Sequence, residues 1–426
     1  MYKNIYLISI FLFLNILPTT SISQTIYSLD QALSDAVRSA PASLQYDFVK
    51  KENVLKLKNL TSRYFPQVAI NGQATYQSET TGLDISLPGF SVPRLSQDQY
   101  KIQLDVNQFI YDGGTTAIQK NLADVGSEIE NAQIDLDIEQ LKEQIIHIYF
   151  GVLECEARLE IIGIKRNDLE AVMKKVETGV NSGAVLSSEL KNLKAEMLGL
   201  DQLEDELLAL KEGQIKVLNI LTGRNPDNRF TFDVPEAIIK TELNIASRPM
   251  YRLLTWQKEM ADQSKKLSFS LSKPRIMFFV QGGYGKPGLN FLKNEFTPYY
   301  IGGIRVQWNM ADLYTKGRDN QISMLQMQKI DAKTKSFNQH VEVKLATLQT
   351  EIGRSFAQMN ADDEIINLRK EIKNTARIQL EKGTRTSSDY LMILNDESEA
   401  YINKKIHELQ YIKAGYLYHH FAGDKR

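Results

Sequence analysis

The sequence has little cysteine and little proline. Cys155 is the one cysteine among 426 residues, so we expect neither a disulfide framework nor a lipid on an N-terminal cysteine. Cys155 falls on the apolar side of a predicted helix, which favours a packed thiol over a reactive one. Eleven prolines are few for this length, and this scarcity favours long, uninterrupted helices.

The sequence also lacks an excess of charge of one sign. The chain carries 51 basic and 52 acidic residues, for a formal net charge of −1. Such a balance gives no overall field that would attract nucleic acid or an anionic membrane surface. We therefore expect no nucleic-acid partner.

Long apolar runs are scarce. Residues 1–23 have the pattern of a signal peptide: Lys3 precedes an apolar run from Ile5 to Leu17, and Ser21-Ile22-Ser23 offers small residues for cleavage. That run is shorter than a membrane-spanning helix, and no other segment is long and apolar enough to be one. An exported protein of this kind is soluble, lipid-anchored or a β-barrel.

The two halves of the chain repeat each other. Pro249 and Pro274 follow Pro41 and Pro66 by 208 residues each. Beyond a Gly/Ser/Pro-rich loop that is longer in the first half, the offset becomes 200 residues, as in the pairs Asp112 and Asp312, Gly183 and Gly383, and Gly223 and Gly423. The pattern predicts a first repeat over residues 24–224, a linker over 225–242 and a second repeat over 243–426.

Each repeat has the pattern helix, strand, strand, long helix, short turn, helix. The first helix is predicted from an N-cap at Ser28 to about Tyr64. Apolar residues of the long helix alternate steps of four and three, the period of a supercoiled seam, as at Leu141, Ile145, Ile148, Val152, Cys155, Leu159 and Ile162. We predict long helices over about 115–182 and 313–382, and return helices over about 188–221 and 388–421.

A rod of this length cannot fold back into a compact globule. About 68 residues of helix span roughly 100 Å, which equals the two shorter helices of a repeat placed end to end. Each repeat is therefore predicted to be one continuous helix beside two stacked ones.

Four segments alternate between polar and apolar residues. They cover about 66–77, 99–109, 274–285 and 299–309, each close to the ten residues that a tilted strand needs to cross a bilayer. Their polar side carries charges in mid-strand, which a packed core would exclude and a water-filled lumen would accept: Lys101, Asp105, Arg275 and Arg305. Met277 and Phe279 are apolar exceptions on that side.

Alternation alone also fits a soluble sheet with one wet face. Four strands are too few to close a pore, and open strand edges do not occur in lipid, so three chains would have to supply twelve strands. The predicted fold class is mainly α with a β-barrel portion, as a trimer whose barrel continues into a helical periplasmic barrel. The alternative is a periplasmic coiled-coil adaptor or scaffold without a pore.

No catalytic constellation is recognisable. The five histidines have no metal-ligand spacing, so the sequence predicts no enzyme activity, no cofactor and no metal site. His419-His420 is interpreted as a solvated helix end, and Asp362-Asp363-Glu364 as a wet helix face.

Short motifs follow one another in a recognisable order: Leu29-Asp30-Gln31-Ala32-Leu33, Tyr64-Phe65-Pro66, Ile110-Tyr111-Asp112-Gly113-Gly114 and Leu221-Thr222-Gly223. With the duplication, they resemble the TolC family of outer-membrane efflux and secretion channels over nearly the whole mature chain. The resemblance implies a homotrimer in outer-membrane lipid with a helical tunnel in the periplasm. It would be the exit duct of a tripartite efflux pump or type I secretion system. Its implied partners are a periplasmic membrane-fusion adaptor and an inner-membrane transporter of the RND, ABC or another class.

The stretch Gly383-Thr384-Arg385-Thr386-Ser387-Ser388-Asp389 resembles the periplasmic tip turn of that family. The resemblance implies that Arg385 is a latch, with Ser188 and Glu189 as partners, and that Asp389 forms a three-fold acidic ring that favours cations. The implied adaptor-docking tip comprises Gly183, Ala184, Val185, Gly383, Thr384, Thr386 and Ser387.

Two residues depart from the family pattern at this tip. Leu380 replaces a tyrosine of the closing network and Met392 replaces a second acidic residue, so a weaker latch and a ring of lower charge are expected. The alternative interpretation is that Ser188 and Ser388 only cap helices and that Arg385 is solvated.

Overall fold

Long helices dominate the chain, and a small antiparallel sheet lies at one end. The computed structural model describes residues 26–81, 94–238 and 244–423. The predicted class, mainly helical with a sheet portion, is confirmed. The predicted signal peptide, residues 1–23, lies outside the described residues.

The first half of the chain contains two shorter helices, a strand hairpin and two long helices. Its elements are β1 (Ile26–Tyr27), α1 (Leu29–Ser39), α2 (Pro41–Thr61), β2 (Gln67–Tyr76), β3 (Asp98–Tyr111), α3 (Thr115–Asn181) and α4 (Ser187–Leu221).

The second half runs in a similar order. Its elements are β4 (Thr231–Phe232), α5 (Pro249–Leu271), β5 (Arg275–Lys286), β6 (Thr297–Gln307), α6 (Asp312–Glu381) and α7 (Ser387–Ala422). Both β6 boundaries lie two residues before the predicted ones.

The first predicted helix is broken in two, so the prediction of one continuous helix from Ser28 to Tyr64 is wrong. Ser28 does cap α1, because its hydroxyl accepts a hydrogen bond from the Gln31 backbone N–H and its own N–H donates to the Gln31 side chain, both at 3.3 Å. Ala40, with a ψ of 125°, separates α1 from α2. Pro41 causes the break, because proline lacks the N–H of a continuous helix and disfavours helical geometry in the residue before it.

The helices form a layer with two free edges. Helix α3 packs against α4 and α7 along the half far from the sheet, and against α2 and α5 along the half near it. Helix α6 packs against α7 and α5. Helices α2 and α4 therefore form one edge of the layer and α6 forms the other.

Two apolar cores hold the layer together. One lies where β1 and β4 pair, around Tyr149 and Phe150. The other lies between α3, α4, α6 and α7, and includes Cys155, which is 3% exposed. Burial raises the pKa of the Cys155 thiol, which keeps it protonated and unreactive.

Two polar segments that were expected to face water each contain a buried residue, although Asp363 and Glu364 are exposed as expected. His419 is 7% exposed, and burial together with the nearby Arg248 lowers the pKa of His420 to about 4, so a solvated His419-His420 end is wrong. Asp362 is 5% exposed and accepts a hydrogen bond from His407 at 2.8 Å. Both segments lie against neighbouring helices, which their own sequence does not indicate.

Within the three described ranges, no helix combines the length and apolarity needed to cross a bilayer. The same ranges contain no group of three His, Cys, Asp or Glu side chains that could hold a metal ion.

Candidate functional site

The four longer strands form one antiparallel sheet in the order β2-β3-β5-β6. The register pairs Asp105 with Ala69 and Gln281, and Met277 with Arg305. Because side chains alternate along a strand, this register determines which residues share a face. It brings the four predicted lumen charges, Lys101, Asp105, Arg275 and Arg305, to one face, which we call the polar face.

A hydrogen-bond network covers the middle of the polar face. Asp105, which is 6% exposed, accepts hydrogen bonds from the side-chain amides of Asn71 and of Gln103, the latter at 2.8 Å. The Tyr299 hydroxyl lies 3.2 Å from Gln103 Oε1, and Lys101 Nζ lies 5.5 Å from the centroid of the Tyr299 ring. The carboxylate is therefore fixed by neutral donors.

The opposite face of the sheet, the apolar face, is exposed along all four strands. Ile70 is 74% exposed and Tyr300 is 83% exposed. The other large exposed side chains on this face are Val68, Tyr76, Tyr100, Ile102, Leu104, Phe278, Tyr284, Ile304 and Val306. A continuous apolar surface of this size marks a contact with lipid or with another protein.

Charges on the apolar face are confined to the end of the sheet far from the helices. Among the strand residues of that face, the charged ones are Asp98 and Lys286, and they form an ion pair at 3.6 Å. An ion pair at the rim leaves the middle of the face without charge, as an apolar surrounding requires.

Both edges of the sheet are open. Strand β2 pairs with β3 and strand β6 pairs with β5, and neither has a second strand neighbour among the described residues. The unpaired backbone groups on the outer sides of β2 and β6 are available for pairing with further strands.

At the far end of the helices, two turns have matching backbones. Gly183 and Gly383 adopt φ values of +75° and +71°, in the left-handed region that glycine allows. The N–H of Ala184 donates to the Gly179 carbonyl and the N–H of Thr384 to the Gln379 carbonyl, both at 2.9 Å. These bonds close α3 and α6 in the same way.

The predicted latch residues have other partners within this chain. Arg385 Nε donates to the Gln379 side chain at 2.8 Å, within its own helical hairpin. Glu189 accepts a hydrogen bond from the Ser387 backbone N–H at 2.5 Å, which connects the α3/α4 turn with the start of α7. Asn192 adds a longer contact, 3.4 Å, to the Ser388 hydroxyl. Glu189, rather than Arg385, therefore links the two hairpins at the tip of one chain, together with the ion pair of Lys175 and Glu381.

Asp389 and Ser188 are exposed at this tip. The Asp389 N–H donates to the Thr386 hydroxyl at 3.2 Å, so Thr386 caps α7. Helix α4 begins after Leu186 without a side-chain cap. The interpretation of Ser188 and Ser388 as helix caps is therefore wrong.

Sequence reasoning missed a buried charge cluster above the tip. Lys373 Nζ lies 2.7 Å from both Asp168 and Glu397, so it joins α6 to α3 and α7. Burial would lower the pKa of Lys373, but the hydrogen bonds and charges of the two carboxylates outweigh it and raise the pKa. Asp168 and Lys373 are 205 residues apart, and no local pattern could have paired them.

The fold matches solved outer-membrane channels over nearly its whole length. The outer membrane protein VceC from Vibrio cholerae matches with a TM-score of 0.70 at 13% identity, over 93% of this chain and 96% of its own. The outer-membrane channel OprN matches with a TM-score of 0.71 at 16% identity, over 93% and 89% of the two chains. The chain has the fold of these outer-membrane channels. The fold implied by the resemblance to the TolC family is thus confirmed.

A third channel with this fold is the MtrE outer membrane channel of Neisseria gonorrhoeae, solved in its open state. It matches with a TM-score of 0.65 at 15% identity, over 93% of this chain and 89% of its own. No protein-family model matches the sequence, and no curated protein matches it significantly. The structural neighbours named above are channels rather than enzymes.

Proposed function

We propose that three copies of this chain form an exit duct in the bacterial outer membrane. The single observation that carries the proposal is the sheet, whose apolar face is exposed and whose opposite face holds charges and amides. A barrel wall in lipid has these two faces, apolar outside and polar towards a water-filled lumen. In this arrangement Lys101, Asp105, Arg275 and Arg305 line the lumen.

The open edges of β2 and β6 support the trimer. In lipid no water is available to the unpaired N–H and C=O groups, so a spanning sheet must close on itself. Three four-stranded sheets joined edge to edge give a barrel of twelve strands.

The edges of the helical layer support the same assembly. Large apolar side chains are exposed on α4, at Leu203, Leu210 and Val217, and on α6, at Ile365, Leu368 and Ile372. Further such residues, Leu44 and Phe48, are exposed on α2. In a ring of three chains, α6 of one copy lies beside α2 and α4 of the next, and the apolar side chains cover each other.

The helical end is the proposed contact with partner proteins. The two glycine turns, with Gly183, Ala184, Val185, Gly383, Thr384, Thr386 and Ser387, would receive a periplasmic membrane-fusion adaptor. An inner-membrane transporter of the RND, ABC or another class would then feed the tunnel of a tripartite efflux pump or type I secretion system. Asp389 and the contacts of Glu189 and Arg385 would set the width and charge of its aperture.

The test compares one charge on the two faces of β2. Ile70→Lys places an ammonium group on the apolar face, at a cost of roughly 2–4 kcal/mol near the bilayer midplane, whereas the control Ala69→Lys places it on the polar face, opposite Asp105. We expect wild type and Ala69→Lys to purify from membranes as trimers that conduct ions in planar bilayers, and Ile70→Lys to insert poorly.

A water-soluble monomer without channel activity would refute the proposal and favour a periplasmic coiled-coil scaffold. That alternative leaves the exposed apolar face of the sheet without a role. Light scattering of the purified protein and single-channel recording separate the two functions directly.

A further inference from the structure

Two arginines lie close together where the polar face of the sheet meets the helices. Arg275 is the first residue of β5 and pairs with Gln307, while Arg305 pairs with Met277. The two guanidinium-bearing residues are therefore diagonal neighbours on the same face, at its helical end.

The polar face has an excess of positive charge. Its strand residues include three cations, Lys101, Arg275 and Arg305, and one carboxylate, Asp105. Asp105 is already occupied by the amides of Asn71 and Gln103. It also lies in mid-sheet, six residues along β5 from Arg275 through its pairing with Gln281.

Carboxylates near the helical end are engaged elsewhere. Asp112 accepts hydrogen bonds from the N–H groups of Gly114 and Thr116, at 2.9 and 2.7 Å, and Asp312 accepts one from Asn309 at 3.2 Å. Across residues 26–81, 94–238 and 244–423, neither Arg275 nor Arg305 forms an ion pair with a carboxylate. No carboxylate in these described ranges compensates their positive charges.

One of the two side chains is held by an aromatic ring. The guanidinium carbon of Arg305 lies 4.6 Å from the centroid of the Phe279 ring, a cation–π distance. Phe279 and Met277 are the two apolar exceptions that the sequence places on the polar side. Met277 pairs with Arg305 across the two strands, and Arg305 remains exposed, so its guanidinium is accessible to an anion in solution.

We propose that Arg275 and Arg305 form a basic girdle that binds polyvalent carboxylate or phosphate anions where the barrel joins the helical tunnel. The proposal rests on the proposed trimeric channel, in which two guanidiniums from each of three chains surround one lumen. Planar guanidinium groups bind carboxylate and phosphate oxygens in pairs, so a ring of them suits an anion with several such groups. The girdle would retain or pass anionic cargo between the aperture at the helical tip and the outside.

The probe is citrate, added to the side of a planar bilayer that faces the extracellular loops. Citrate should block the wild-type channel, and the concentration for half block should rise at least about tenfold in the double variant Arg275→Gln/Arg305→Gln, because this variant removes six guanidinium charges from the lumen of the trimer. Added salt should weaken the wild-type block through screening. The variant Arg275→Lys/Arg305→Lys keeps the positive charges and should retain most of the citrate block.

Lys286→Gln is the matched control, because Lys286 belongs to the same strand as Arg275 but lies on the apolar face. It should be blocked like wild type. Equal block of wild type and of the double glutamine variant, or no block of the wild type, would overturn the girdle while leaving the channel intact.

The reversal potential in a KCl gradient provides a second readout. It should shift towards cation selectivity in the double glutamine variant and stay unchanged in Lys286→Gln; no shift counts against the girdle. If the wild type forms no channel, the proposed function fails instead. Citrate binding to the detergent-solubilised protein, measured by titration calorimetry, then tests the girdle independently of channel activity.

Discussion

Lys373 on α6 connects α3 and α7 through two ion pairs. Its ammonium lies 2.7 Å from Asp168 and from Glu397, and Glu397 is 4% exposed. Lys373→Ala would leave the buried Glu397 carboxylate without its cation, while Asp168, whose side chain is 33% exposed, can be solvated. Removing one partner of a buried ion pair costs about 3 kcal/mol or more, so we expect the trimer to unfold at distinctly lower urea concentration.

The control is Lys404→Ala, which removes an ion pair with Asp363 near the helix surface. The Asp363 side chain is 72% exposed, so the loss should stay below about 1 kcal/mol. Equal shifts of the unfolding midpoint in both variants would show that the ion pairs of Lys373 stabilise the protein no more than the exposed ion pair of Lys404 does.

His420 should make the stability of the protein sensitive to acid. Burial, with the positive groups of Arg248 and Lys142 nearby, lowers the pKa of His420 to about 4, against about 6.5 in an unfolded chain. Between these values the unfolded state binds the proton and the folded state does not. Stability is therefore lost as the pH falls from 6.5 to 4, by about 3 kcal/mol at its largest.

His420→Gln should remove this part of the pH dependence, measured as the unfolding midpoint at pH 7, 6, 5 and 4. The comparison variant is His340→Gln, at an exposed position of α6. If His420→Gln loses stability with pH as steeply as wild type, another group is responsible.

Residue roles that depend on distant packing could not be predicted from the sequence. A histidine pair at a chain end and an acidic run on a helix normally face water, yet His419 and Asp362 are buried by neighbouring helices. That Lys101, Asp105, Arg275 and Arg305 share one face was predictable, because strand alternation determines the face of each residue before any partner strand is known. The paired-arginine arrangement needed the register of β5 with β6.

At the scale of elements, the long helices were predictable because their apolar residues keep a 3.5-residue period over many turns. Strand alternation likewise indicated four strands. The break at Pro41 was missed, although a proline within a helical pattern is a local signal for it. The contact between Glu189 and Ser387 could not be derived, since it joins two turns about 200 residues apart.

The two hairpin turns allow a test of what holds the tip together. Glu189→Ala removes the acceptor of the Ser387 N–H, and we expect the hairpins to separate and single-channel conductance to rise. Arg385→Ala removes a bond to Gln379 within one hairpin. If Arg385 is a latch, single-channel conductance must also rise in Arg385→Ala. The contacts within one chain instead predict a larger rise of conductance in Glu189→Ala than in Arg385→Ala.

Glu177→Ala is the control for both variants, since Glu177 is exposed on α3 near the same turn. Unchanged conductance in Arg385→Ala would discard the latch assignment. Unchanged conductance in Glu189→Ala would show that its contact does not restrain the aperture.

At the scale of the whole molecule, one chain is an incomplete structure. Its sheet has open edges and an exposed apolar face, and its helical layer has exposed apolar side chains along both edges. These three features lie on different parts of the molecule, and the proposed assembly around a three-fold axis in lipid would satisfy all of them. In that proposal, the alternation of the strands and the seams of the helices serve the same assembly.

The α4 edge offers a test of this assembly that does not involve the membrane. Leu203, Leu210 and Val217 recur every seven residues, beside the stripe of Leu193, Leu200 and Leu207 that is buried in the helical layer. Burying a leucine contributes about 2 kcal/mol, and this loss would occur at each of three interfaces. Leu210→Asp should therefore shift detergent-solubilised protein from trimer towards monomer, as measured by size exclusion with light scattering.

Leu198→Asp makes the same change at a side chain that is 65% exposed on the opposite side of α4, and it should remain trimeric. Dissociation of both variants, or of neither, would show that this stripe is not the interface.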